Sequence, residues 1–221
     1  MNRLKSISIR RGRRQKGSFL LEFALIAPLL LLLLAGTFEI GMTLNRAITT
    51  AEVCRNANVL VVRGIDLSQA SNQKLLMKTA TGLGMADSSY NPLSTGNGVV
   101  ILTTVTMVGP LACAAGISGY NGNTSTCPNY GYYVISSRIT IGNTSVGSSV
   151  TGNPSSTLAS NGSVTAADIA SNTGDRATGF PGIIALTADQ YTYVAETYVD
   201  ISSLQLFSIV NPPLLYMRNL S

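Results

Sequence analysis

The hydrophobic and polar positions change period along the chain, and each change marks an element. Ser18 to Ile40 reads SFLLEFALIAPLLLLLLAGTFEI, and the sixteen residues from Phe23 to Phe38 hold no charged side chain. Taken as helix, Phe19 to Ile40 spans about 33 Å at 1.5 Å per residue, enough for a hydrocarbon core of about 30 Å. Pro28 removes one backbone donor inside this run and is a candidate kink. Helical spacing then continues: Leu44, Ala47, Ala51 and Cys54 fall three and four apart as a narrow small-residue stripe, with Arg46, Glu52, Arg55 and Asn56 on the polar faces. Unbroken from Ser18 to Val62, such a helix is about 68 Å long. Gly64 suits its stop, and Asp66 or Ser68 opens a second helix through Leu75, Leu76 and Met77 to the breaks at Gly82 and Gly84.

After Asn97-Gly98 the period becomes strand-like. Val99 to Val108 is apolar and β-branched. Tyr132 to Ile141 alternates Tyr133, Ile135, Ser137, Ile139 and Ile141 against Tyr132, Val134, Ser136, Arg138 and Thr140, and Tyr191 to Ile201 alternates similarly. These predict a small antiparallel sheet of three strands, one face of which needs the distal half of the long helix as cover. The fold class is α+β. Residues 142–179 are rich in Ser, Thr, Asn and Gly and read as a long loop or partly disordered insertion. The apolar ending around Pro212-Pro213, from Leu204 to Ser221, is expected to pack on the head or touch the membrane.

Charge placement decides what the basic balance means. The net charge is +5, yet Arg3, Lys5, Arg10, Arg11, Arg13, Arg14 and Lys16 supply seven of the fifteen cations within the first seventeen residues, leaving a mildly acidic body. A basic leader against an apolar run is a topology signal that keeps the N-terminus cytoplasmic, and no aromatic residues interleave the cations to stack bases, so nucleic acid is not the expected partner. With 11% charged residues, 45% hydrophobic and no His or Trp, the composition points to a membrane and away from His-based catalysis and His-containing metal sites. Neither a P-loop nor a tight carboxylate cluster is present, so no enzyme, cofactor or metal is expected. Asp189, Glu196 and Asp200 read as a solvated strand face. A cleaved secretory signal also pairs a basic region with an apolar core, but this run exceeds the usual length and lacks a small-x-small site.

Glu22 lies four residues inside the apolar segment, where a carboxylate costs up to about 2.5–3.5 kcal/mol on insertion scales; Leu29 to Leu34 offset it at about −0.5 kcal/mol each. Gly17-Ser18-Phe19-Leu20-Leu21-Glu22, after a basic leader and before a Leu-rich run, resembles the processing site of type IV pilins. RRGRRQKGSFLLEFALIAPLLLLLLAGTFEIGMTLNRAITTAEVCRNA resembles more narrowly the TadE/TadF-like pseudopilins of the tight-adherence (Tad/Flp) pilus system, over about Arg10 to Gly64. The resemblance implies cleavage by a membrane-embedded prepilin peptidase after Gly17, with Ser18 as the new N-terminus. Glu22, with Phe19 and Phe23 beside it, is implied in assembly. The implied partners are the prepilin peptidase, other pilins and the pilus assembly platform, and the implied location is the bacterial inner membrane as a single pass with an exported head. Phe23 stands where the major Flp pilins have Tyr, and those pilins lack a large distal domain, so the resemblance is to a minor or accessory subunit.

The expected organisation is a leader (1–17), a transmembrane helix (18–41), an exported continuation (42–64) and an α+β head (65–221) with the insertion at about 142–179. Cys113 and Cys127 flank a Gly/Asn-rich loop; a bridge closing it contributes about 3 kcal/mol in the chain-entropy model, the alternative being two unlinked buried thiols. Cys54, on the helix stripe, is expected as a buried small hydrophobe. The competing reading of the whole chain is a membrane-anchored exported adhesion module, with the insertion as its recognition surface.

Overall fold

In the computed structural model, which describes residues 16–202 and 214–221, one long helix carries a compact head. The basic leader up to Gln15 and the stretch 203–213 lie outside the described residues. Helix α1 runs Lys16–Val62 without interruption at Pro28, 47 residues or about 70 Å. It stops because Gly64 takes φ +74°; this lets the Gly64 N–H reach the Val61 carbonyl and the Ile65 N–H reach the Leu60 carbonyl, closing the last turn. Helix α2 (Ala70–Met77) follows, extended by a 3-10 turn over Lys78–Ala80. It starts at Ala70, after both expected openings, Asp66 and Ser68, because the Asp66 side chain accepts from the Ser68 N–H in a turn of its own.

The sheet has four strands rather than three: β1 (Gly98–Met107), β2 (Tyr133–Gly142), β3 (Tyr191–Asp200) and β4 (Leu214–Leu220) in the order β2-β1-β3-β4, every pair antiparallel. The apolar C-terminal residues thus form an edge strand. Strict alternation in β2 also fails. A bulge at Ser136 of β2, opposite Thr104 and Val105 of β1, lets Ser136 and Ser137 both reach hydroxyls on β1, Ser137 to Thr104 at 2.7 Å and Ser136 to Thr106 at 2.9 Å. Tyr133 and Ile135 therefore fall in a different core cluster from Ile139 and Ile141.

One sheet face lies under α1 and α2, where Val53, Cys54 and Ala57 meet Val100, Leu102, Ala195, Val199, Leu76, Met77 and Met85. The helix stripe is rotated from the expected one. Leu44 is 61% exposed, while Thr50, Val53, Cys54, Ala57 and Asn58 are buried. Thr50 and Asn58 can lie on this face because their groups find partners: the Thr50 hydroxyl donates to the Arg46 carbonyl one turn away at 2.8 Å, and Asn58 Nδ2 donates to Asn219 Oδ1 of β4 at 2.9 Å. The Cys54 thiol points at the Ala195 carbonyl, 3.2 Å away, and burial pushes it up to about 11. Cys54 should therefore resist maleimide at pH 8 in the native protein and react fully after denaturation, as thiol labelling followed by mass measurement will show.

Residues 142–179 are ordered, contrary to the expectation of a loose insertion. They carry helix α4 (Ala166–Ser171), packed on helix α3 (Pro110–Gly116), and they cover the edge of β2. The Arg138 and Val164 N–H groups bond Gly162 and Ser136 carbonyls at 2.7 and 2.9 Å, and the Ala177 N–H bonds the Tyr133 carbonyl at 2.9 Å. Buried Asp175 accepts from the Ser155 and Ser156 N–H groups at 2.7 and 2.8 Å and from the Ser156 hydroxyl. Polar bonds thus hold a segment too poor in large apolar side chains to be held by burial alone. Cys113 of α3 is bonded to Cys127, with Cα atoms 5.8 Å apart.

Candidate functional site

The candidate site is the first half of α1. Every large apolar side chain from Leu20 to Leu34 that the structure describes stands exposed, with Leu25 at 73% and Leu32 at 69%. The helix has an 18-residue window of mean hydropathy 2.3 and is long and apolar enough to cross a membrane. Exposing this much hydrocarbon to water is far outside what a soluble monomer tolerates, so a bilayer or other helices must cover it.

Gly17 and Ser18 are in the first turns of α1, and Glu22 follows one turn later with its side chain on the helix surface. Phe23 is 60% exposed beside it; Phe19 is placed in the same helix backbone. The structure therefore puts the residues of the expected processing and assembly motif on one short stretch of continuous helix. Ser18 N and Glu22 are four residues apart, about 6 Å along the axis. One acidic residue was missed from sequence. Glu39 is buried, seventeen residues from Glu22 and so about 26 Å further along the axis. The two carboxylates bracket the uncharged run, a spacing visible in the sequence once Glu39 is treated as the far end of that run rather than as the start of the polar half.

The head carries a second polar constellation, on the sheet face away from α1. Glu196 of β3, expected on a solvated face, is fully buried beneath the insertion. Its carboxylate accepts from the Val150 N–H at 3.1 Å, the Tyr216 hydroxyl at 3.0 Å and the Ser149 hydroxyl. Arg138 of β2, buried on the same face, donates to the Gly152 carbonyl at 2.7 Å and to Thr151 Oγ1 and Asn153 Oδ1 at 3.1 Å each. Burial lowers the Arg138 guanidinium to about 10 against the opposing pull of Glu196. Burial and the Glu196 charge together push the Tyr216 phenol up. Gly147 allows the strap to lie this close, since a Cβ there would sit 2.4 Å from Tyr198 Cγ. The two charges clasp residues 149–153 to the sheet.

The other acids have separate tasks. Asp189, at φ +63°, accepts from the Gly109, Leu111 and Ala112 N–H groups at 3.1, 3.0 and 2.9 Å and so caps α3. Asp200 accepts from the Ser202 N–H at 2.8 Å in a turn. The three carboxylates are not brought together.

A helix with a membrane-length apolar half and a sheet-packed distal half defines an α+β protein suited to a single membrane pass. Residues 17–57 match the model of the family described as TadE-like protein, the family those residues resemble, and the match associates the chain with the Tad pilus. The matched residues lie within α1; the head lies beyond them. Neither the curated proteins nor the solved structures provide a match.

Proposed function

We propose that this chain is a minor pilin-like subunit of a Tad pilus, matured by a prepilin peptidase that cuts between Gly17 and Ser18 and incorporated through the Glu22-bearing helix. The observation that carries the reading is the uncovered apolar half of α1 with an acidic residue near its start. The family match supports it, beginning at Gly17 and spanning Glu22. The basic leader keeps the cut site on the cytoplasmic side and sends the head across the inner membrane.

Hydrolysis of the Gly17–Ser18 peptide bond changes the charge at one atom. The Ser18 nitrogen is a neutral amide before the cut and a cationic amine after it. In a stack of helices with little water, a carboxylate without a counter-charge is costly, and the amine of a neighbouring subunit offsets that cost while fixing the axial offset between the two. Proteolysis thereby licenses assembly.

The test is the N-terminus of the membrane-bound form. Mass spectrometry should find a chain starting at Ser18, and Gly17→Val should accumulate as the uncut precursor. A native chain that begins at Met1, or near Gly36, while working in a fibre would overturn the reading in favour of an anchored or secreted binding module.

A further inference from the structure

We propose that one anionic phospholipid sits where α1 leaves the membrane, with an acyl chain along Leu34 to Met42 and its phosphate on Arg46. Two surface hollows meet on this side of the helix. The first, about 420 Å³, is an apolar groove lined by Leu34, Thr37, Phe38, Gly41, Met42 and Asn45. Their spacing in steps of three and four places them on one stripe of the helix. The second, about 210 Å³, is a polar notch in which Arg46, Thr49, Thr81, Gly82 and Leu83 join the same Met42 and Asn45. Its far wall is the turn that follows the 3-10 segment Lys78–Ala80, which packs on α1.

Depth and charge together identify the occupant. The groove lies in the last stretch of the apolar run, with Leu34 about 9 Å before Ile40, where the run ends. Arg46 lies about 9 Å past Ile40 along the axis, just beyond a headgroup layer of about 5–8 Å. A helical side chain tilts toward the helix N-terminus, which here is the membrane side, so the guanidinium reaches back to the level of the lipid phosphates. Among the described residues Arg46 makes no ion pair, and no carboxylate lines the notch. The hydroxyls beside it already donate, Thr49 to the Asn45 carbonyl at 3.0 Å and Thr81 to the Lys78 carbonyl at 2.8 Å. They offer acceptor lone pairs to a headgroup hydroxyl, and the charge lining the notch is the single cation. That chemistry selects a phosphodiester with no ammonium of its own, as in phosphatidylglycerol, over phosphatidylcholine. A lipid held here ties the base of the head to the bilayer surface. The seat requires only that α1 crosses the membrane, not that Gly17 is cut.

The experiment is native mass spectrometry of the full-length chain in detergent, titrated with dioleoylphosphatidylglycerol, dioleoylphosphatidylcholine or sodium phosphate. A single phosphatidylglycerol should be retained per chain, about tenfold more tightly than phosphatidylcholine, and Arg46→Ala should remove that preference. Arg63→Ala, which deletes a cation just past the far end of α1, should leave it unchanged. Gly41→Leu puts a side chain into the groove at a position where a Cβ meets nothing within 4 Å, so the helix tolerates it while retention of both lipids falls. Equal retention of the two lipids, or a preference that survives Arg46→Ala, would overturn the proposal. Displacement of the lipid by millimolar phosphate would overturn it in favour of a free-anion site, and retention untouched by Gly41→Leu would overturn the acyl groove.

Discussion

Replacing Glu196 with Leu should lower the stability of the head by about 3–5 kcal/mol, the usual cost of breaking a buried charge constellation by removing one member. Three donors lose their acceptor: the Val150 N–H, the Tyr216 hydroxyl and the Ser149 hydroxyl. Arg138 at the same time loses the charge that opposes its desolvation. Glu196→Gln, which keeps an acceptor oxygen, should cost less, and a Glu196→Leu/Arg138→Met pair should recover part of the loss by removing both charges. Denaturant unfolding of the detergent-solubilised chain, followed by tyrosine near-ultraviolet circular dichroism, measures all three. The Arg138→Met single variant closes the cycle, and a double-variant loss equal to the sum of the two single losses would show that the two charges are not coupled. The sign of the linkage is set by the guanidinium. Its folded value of about 10 lies below the ordinary guanidinium range, so below about pH 10 its burial is a standing cost, progressively relieved as pH rises above that. Contacts to residues 151–153 offset that cost at neutral pH.

Glu22→Leu should leave the precursor cut normally yet abolish its entry into a fibre. Losing about 3 kcal/mol of a desolvated charge pair at each subunit contact lowers incorporation by roughly a hundredfold. Quantifying the variant in sheared pili against its level in the membrane measures this, with the N-terminus determined in both fractions. The substitution makes the helix more apolar and should not impair insertion, so a defect in assembly is separable from a defect in anchoring. Normal incorporation of Glu22→Leu would remove the basis for charge pairing, whatever the state of the N-terminus. Glu22→Gln is the informative intermediate, because it retains hydrogen bonding while losing the charge.

Much of α1 was legible in the sequence because its two determinants are local. The apolar run from Phe19 to Ile40 specifies a membrane-length segment whatever surrounds it, and Gly64 stops the helix through its own backbone conformation. That Gly17, Ser18 and Glu22 share one helix was readable for the same reason, since residues a turn apart need no distant partner to be placed. The core strands were legible within a residue or so at each end. Their grouping was not, because the bulge opposite Thr104 and Val105 depends on how β1 and β2 pair.

What the chain settles by itself is the period and length of its elements, because helix and strand formation answer to side chains a few positions apart. Tertiary structure alone decided which side of α1 is covered, that Leu44 stays outside while Thr50 goes in, and that Glu196 lies beneath an ordered strap rather than in water. It also joined Leu214–Leu220 to β3 as a fourth strand. Each of these depends on a partner distant in sequence. The cost of burying a hydroxyl or a charge is set by the donors and acceptors that folding brings to it.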